Sequence, residues 1–337
     1  MKAFSSHATA LAYWRQHFPL DSELGRPARM SKAEDYAFRK EDVLECVTET
    51  FAIPGKPIDI LVFSAEERRL SKQVACHVWG VAIPPRAFYR VGQMYVSSPE
   101  FVFLQMAPQL SVAQLVALGC ELCGTYVLLP QGATHASSLD EHPTRLAPLT
   151  NIDKLSAFVE RAKGARGRAK AIRALRYVIE GSRSPMETMV YLLLCLPPKL
   201  GGYGFPKPVM NESIELDDEG RAIANRRFCE GDLCWRGGML DIEYHGDVHV
   251  GAANMKSDVG RELGIEHMKW RVITVTSPQV FDIDQFETVA KEAAVRIGKR
   301  LFGRVLGRIP ARQALHEELS SWMLAADCAQ SAEEAEA

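Results

Sequence analysis

Apolar positions recur at helical spacing near the start of the chain, where Leu11, Trp14 and Phe18 share one face of an expected helix over residues 8–18. Ser31, followed three residues on by Glu34, is a capping-box pattern for a second expected helix running to about residue 51. The period then shortens. Residues 58–63 make a compact run rich in β-branched side chains and read as a buried strand; residues 76–81 and 88–96 read as further strands, separated by Pro84 and Pro85. Ser98, Pro99 and Glu100 supply an N-cap, a first-position proline and a first-turn acid, so helices are expected over 100–107 and 111–128. Residues 1–130 therefore read as an α+β domain.

Residues 131–150, which include Pro143 and Pro148, are the best candidate for a linker. Residues 151–181 follow as a basic helical connector. Arg161, Lys163, Arg166, Arg168, Lys170, Arg173 and Arg176 place seven positive charges in sixteen positions. Gly164 and Gly167 interrupt them, so two short helices are expected rather than one. Such a stretch is either a solvated, charge-rich face or a surface for a phosphate backbone, where clustered Lys and Arg displace condensed counterions.

Residues 182–308 show a longer ordered series. Ser184, Pro185 and Glu187 open a helix through residue 196; strands are expected over 208–216, 225–235 and 239–245, with turns at 217–220 and at Gly237-Gly238. A helix over 252–267, a strand over 270–276 and a helix over 283–302 complete the pattern α-β-β-β-α-β-α. A C-terminal helix and an acidic tail occupy 309–337.

The chain has 337 residues, long enough for two domains, and 47% of them are apolar, which excludes a largely disordered chain. With 40 basic and 42 acidic residues the net charge is −2, so affinity for nucleic acid must come from a local patch. No apolar run reaches the roughly 18 residues a membrane span requires, and the expectation is a cytoplasmic protein without a membrane partner. Eight cysteines are scattered along the chain; Cys120 with Cys123, and Cys229 with Cys234, lack the tight turns on which zinc ribbons present their ligands.

The hairpin around Gly237-Gly238 sets a candidate site. A two-residue loop there places Asp232 opposite Glu243, with Cβ atoms roughly 4.5–5.5 Å apart. Alternation puts Asp232, Cys234, Asp241, Glu243 and His245 on one face, and Leu233, Trp235, Leu240, Ile242 and Tyr244 on the other. Facing carboxylates repel, and a divalent cation removes that penalty; the alternative is the wet side of an amphipathic hairpin.

Five blocks carry a resemblance. Ser184-Pro185-Met186-Glu187, Gly231-Asp232-Leu233-Cys234-Trp235, residues 241–249 from Asp241 to His249, Asp258-Val259-Gly260-Arg261 and residues 270–276 from Trp270 to Thr276 together resemble the PD-(D/E)xK nuclease superfamily. The branch is that related to very-short-patch-repair endonucleases. The region with Ser97-Ser98-Pro99-Glu100 and residues 118–126 resembles AbiEi-like antitoxin-related proteins of actinobacteria.

The resemblance implies a restriction-endonuclease-like domain over 182–308. It implies Asp232 and Glu243 as ligands of Mg²⁺ (or Mn²⁺), the Tyr244 backbone carbonyl as a third oxygen, and Glu187 acting directly or through water. His249 matches the family histidine for proton transfer. His245 stands where the superfamily has lysine. Arg261 and Lys256 are candidate DNA contacts, although Asp258 and Arg261 can also pair at i, i+3. Two functions follow: an Mg²⁺-dependent DNA endonuclease in phage defence or DNA repair, or a non-catalytic DNA-binding or protein-binding regulator of toxin–antitoxin type, with a partner protein or toxin.

Overall fold

A computed structural model describes residues 3–16, 57–68, 72–92, 94–128, 147–246, 260–261, 263–301 and 307–324. The described residues form two compact units, 3–178 and 179–324, each mixing helices with a sheet. The expected helix over 31–51, Phe18, most of the 131–150 linker, Lys256, Asp258, His249 and the acidic tail lie outside the described residues.

The first unit is built on a five-stranded sheet in the order β3-β2-β1-β5-β4. Its strands are β1 (Ala3–Ser5), β2 (Ile58–Val62), β3 (Val74–Val78), β4 (Phe88–Val91) and β5 (Met94–Ser97). Strand β1 runs parallel to β5 and antiparallel to β2. The run 88–96, read as one strand, is an antiparallel pair, because Gly92 takes a positive φ of 56° and reverses the chain. Helix α1 (His7–Gln16) buries Leu11 and Trp14 as the spacing predicts, and the Trp14 indole donates to the Ser97 carbonyl at 2.8 Å. Helices α2 (Pro99–Met106) and α3 (Val112–Leu122) start at the Ser98 and Ser111 caps. Gly119 on α3 lets Val178 close in, since an added Cβ would lie 2.5 Å from a Val178 methyl.

The basic stretch forms α4 (Ile152–Arg161) and α5 (Arg168–Leu175), with Gly164 and Gly167 both left-handed between them, as the two glycines predict. Helix α4 packs on α2 and α5 packs on α3, so the stretch belongs to the first unit.

The second unit opens with α6 (Pro185–Cys195), buried along its whole length. A four-stranded sheet follows in the order β6-β7-β8-β9: β6 (Val209–Glu215), β7 (Phe228–Trp235), β8 (Leu240–His245) and β9 (Arg271–Thr276). The first three are antiparallel, and β9 runs parallel to β8 after a crossover containing helical residues 260–267, here α8, of which Glu262 is not described. The expected turn at 217–220 is the start of a short helix, α7 (Asp218–Ala224), because the Asp217 side chain caps it by accepting from Gly220 N–H at 2.8 Å. Helices α9 (Ser277–Phe281), α10 (Ile283–Arg296) and α11 (Ile309–Leu324) complete the unit. Helix α10 buries Phe286, Val289, Ala290, Ala293 and Ala294 in one stripe and ends before Gly298, which is left-handed.

The β7–β8 register is the expected one, with Leu233 opposite Ile242, Cys234 opposite Asp241 and Trp235 opposite Leu240. The bend is wider than expected. Met239 N–H donates to the Arg236 carbonyl at 3.1 Å across Gly237-Gly238, and Met239 itself is left-handed, which leaves four residues between the paired ends. Gly238 has no room for a side chain, since a Cβ would sit 3.0 Å from the Arg296 carbonyl. Among the described residues no helix is long and apolar enough to cross a membrane.

Candidate active site

The acidic face of the hairpin is buried. Leu233, Trp235, Leu240 and Ile242 fill the opposite side as alternation predicts, yet Asp241 is 0% exposed, Glu243 3% and Glu187 6%. Three buried carboxyls, Glu187, Asp241 and Glu243, and half-buried Asp232 therefore influence one another.

Each is held differently. The ladder between β7 and β8 stops at Leu233–Ile242, so Asp232 lies just past its end rather than in a ladder pair with Glu243. Its Oδ2 accepts from Tyr244 N–H at 3.0 Å, standing in for the carbonyl a continued ladder would supply. Glu187 sits in the first turn of α6, where Ser184 caps its N–H. Its Oε2 accepts from Arg183 N–H at 2.9 Å and from the Asn211 side-chain amide at 2.6 Å. Asn211 reaches it from β6 in a left-handed conformation, φ 48°, which Asn tolerates better than most residues. Asp241 Oδ1 accepts from the Cys234 thiol at 3.5 Å, and the protonated Asp241 carboxyl also hydrogen-bonds to the Glu243 carboxylate. Gly231 makes room for it: a Cβ there would lie 2.4 Å from Asp241 Oδ2 and 2.6 Å from Cys234 Sγ.

Glu243 is the charged member. The Arg261 guanidinium grips both its carboxylate oxygens, and His245 Nε2 lies 3.5 Å from Oε2. Burial opposes ionisation of Glu243, but these contacts outweigh it and hold the carboxyl down at about 2. The other three go the opposite way. Burial, then the charge of Asp232, pushes Glu187 up to about 7. Burial pushes Asp232 up to about 6, and burial with the charge of Glu243 pushes Asp241 up to about 9. Near neutral pH the cluster thus holds a proton on Asp241 and shares partial charge between Glu187 and Asp232. His245, half exposed, is raised by its contact with Glu243 and stands at the rim of the cluster.

The donor types suit a hard dication, which takes carboxylate and carbonyl oxygens. The arrangement already contains a cation, however: Arg261 occupies both oxygens of Glu243. Among the described residues no three His, Cys, Asp or Glu side chains are grouped as a metal cage.

The sequence pattern brings together Glu187, Asp232, Glu243, His245 and Arg261; His249 and Lys256 fall outside the described residues. Arg261 is half-buried on Glu243, not presented on a free surface, and its Nη1 also donates to the Glu230 carbonyl at 2.9 Å. The basic stretch divides. Arg161, Lys163, Arg166, Arg173 and Arg176 are exposed on the first unit. Arg168 instead donates to the Val159 carbonyl at 2.9 Å and the Glu160 carbonyl at 3.2 Å, capping the end of α4; Lys170 donates to the Leu110 carbonyl at 2.6 Å. Both have structural duties instead of a free charge for DNA.

Asn211 and Arg183 were not legible as site residues, because each acts by a contact that strand alternation does not encode. The first unit also holds a polar cluster with no spacing signature. His77 Nε2 meets Asp59 Oδ1 at 2.7 Å, and the His77 ring stacks on His7 at 3.7 Å between centroids. Cys120 and Cys123 are buried in the first unit, and Cys229 and Cys234 in the second. No family model, no curated protein and no solved structure matches this chain.

Proposed function

We propose that the second unit is a DNA endonuclease-like domain that hydrolyses phosphodiester bonds with Mg²⁺ or Mn²⁺. The observation that carries the reading is the cluster of buried Glu187, Asp241 and Glu243 with half-buried Asp232 at the point where β7 and β8 part. Burying three carboxyls beside a half-buried fourth costs several kcal/mol each in order of magnitude when they are charged, and such perturbed acids cluster at functional sites. The element order supports it: helix, three antiparallel strands, helix and a parallel fourth strand follow the restriction-endonuclease-like arrangement that the PD-(D/E)xK resemblance implies, with α7 as an added helix.

In this reading Asp232, Glu243 and the Tyr244 carbonyl hold the ion, with Glu187 beside them. When bound, the ion polarises the scissile phosphate and lowers the pKa of an attacking water. The chain's own residues do the rest. His245 at the rim takes or returns a proton, and Glu187, titrating near neutrality, accepts one. Exposed Arg161, Lys163 and Arg166 supply a phosphate-contacting surface.

The grip of Arg261 on Glu243 favours a second reading, in which the guanidinium fills the cation's place for good and the domain is a binding-only regulator of toxin–antitoxin type. Nicking of supercoiled plasmid separates the two. Wild-type protein with Mg²⁺ or Mn²⁺ nicks, and Asp232→Ala and Glu243→Ala do not. Binding of DNA without cleavage in either metal selects the regulator; cleavage that persists in both variants removes the metal assignment.

A further inference from the structure

We propose that the outer edge of β9 is a self-association surface, where a second copy of this chain pairs its own β9 antiparallel and extends the sheet across a two-fold axis. Strand β9 is terminal in the order β6-β7-β8-β9, so only its β8 side is paired. Arg271 N–H donates to the Met239 carbonyl at 2.7 Å, which turns the backbone groups of Arg271, Ile273 and Val275 toward β8. Those of Val272 and Thr274 therefore point outward, and among the described residues no backbone hydrogen bond takes them up. At the next outward position the edge closes, because Thr276 N–H donates to the Gln279 side chain at 2.9 Å. Val272 and Thr274 are thus an open piece of strand edge, with donors and acceptors already in strand geometry.

A two-fold axis at Ile273 matches this edge to itself. Val272 then stands opposite Thr274 of the second copy, and Thr274 opposite its Val272, so each outward donor meets an outward acceptor. The same axis sets Ile273 against its counterpart on the α10 side of the sheet. There a groove of about 340 Å³ is lined by Arg271, Ile273, Glu292, Val295 and Arg296. Glu292, Val295 and Arg296 share one face of α10 at i, i+3 and i+4, and Val295 is 81% exposed between the two charges. A two-fold runs the helix antiparallel to its copy, so Glu292 faces Arg296 of the second copy and Arg296 faces its Glu292. Within one copy Glu292 accepts from Arg271 at 2.9 Å, and a carboxylate has acceptor sites to spare for a second guanidinium. A purely acidic or purely basic strand would match only one of the two charges; a second copy matches both. Nothing in this surface requires a bound metal.

The test is sedimentation velocity of the full chain in EDTA across a concentration series, paired with amide hydrogen exchange. The expected result is a monomer–dimer equilibrium in which protection of the Val272 and Thr274 amides rises with concentration. Val295→Lys changes an exposed position, so the monomer keeps its fold; placing like charges about the axis is expected to weaken dimerisation at least about tenfold. Arg296→Glu, which sets acids against each other, is expected to weaken it likewise. Thr274→Pro removes an outward donor without breaking a bond to β8 and is expected to leave a monomer; Val295→Lys decides the matter if that variant does not fold. A wild type that is monomeric at every concentration overturns the proposal, and so does a dimer that Val295→Lys leaves as tight as wild type. Protection of Val272 and Thr274 that is full in the monomer and independent of concentration assigns the edge to another segment of the same chain, and overturns it too.

Discussion

Replacing Glu187 with Gln removes one charge from the cluster while preserving its shape. The amide oxygen can still accept from Arg183 N–H and Asn211, and the Ser184 cap is to the backbone, so the local hydrogen bonds survive. What changes is titration. The Glu187 carboxyl sits at about 7 in the folded chain against an ordinary 4.5, so the folded state holds its proton more tightly than the unfolded state. Stability from that proton is full below about pH 4.5, declines as pH rises, and is gone above pH 7. At about 1.4 kcal/mol per tenfold change in proton affinity, ionised Glu187 costs the wild type roughly 3 kcal/mol at pH 8 and roughly 0.8 kcal/mol at pH 5. Glu187→Gln escapes this cost. Relative to wild type, the variant should gain roughly 2 kcal/mol between pH 5 and pH 8, with stability measured by urea unfolding of the second unit in EDTA. Comparing the two proteins at each pH cancels other groups, including His316, which burial lowers to about 4. A difference between variant and wild type that is the same at both pH values would refute the reasoning.

Other outcomes are expected at separate places in the two units. Gly231→Ala forces a methyl to within 2.4 Å of Asp241 Oδ2, and overpacking of this kind should cost about 1–3 kcal/mol by chemical denaturation. His7 is held down at about 3, by burial first and then by His77, so its neutral form stabilises the first unit above pH 6.5 and that stability is lost as pH falls toward 3. Roughly 2 kcal/mol of it is gone by pH 5, and His7→Asn, which tolerates the left-handed backbone, should flatten that slope in amide exchange of β1 and β2. Neutralising Arg161, Lys163 and Arg166 should reduce the salt dependence of DNA binding with little loss of stability; Arg168→Ala should destabilise the first unit through the carbonyls it caps.

Where local chemistry decides structure, the sequence was informative. Serine, proline and acid at 98–100 and 184–187 started helices where they stand, and paired glycines at 164 and 167 broke the basic stretch. Alternation in 232–245 told which residues face each other, because a buried apolar side specifies register strongly. Non-local contacts were not legible. Nothing in the spacing says that Asp232 turns to Tyr244 N–H, that Asn211 crosses from β6 to Glu187, or that Arg261 closes on Glu243. The face read either as a cation site or as the wet side of a hairpin is buried at Asp241 and Glu243, where α6 and α8 bring Glu187 and Arg261 to it, a tertiary event with no periodicity of its own. The run 88–96 was misjudged for a simpler reason: Gly92 is one residue, and only its positive φ reveals a reversal.

The central claim is that the carboxyls at the parting of β7 and β8 form a cation site. Crystals grown without metal and soaked in Mn²⁺ test it directly through anomalous scattering. One peak within coordination distance of Asp232 and Glu243 is expected. A map with no peak there at saturating Mn²⁺ would contradict that claim.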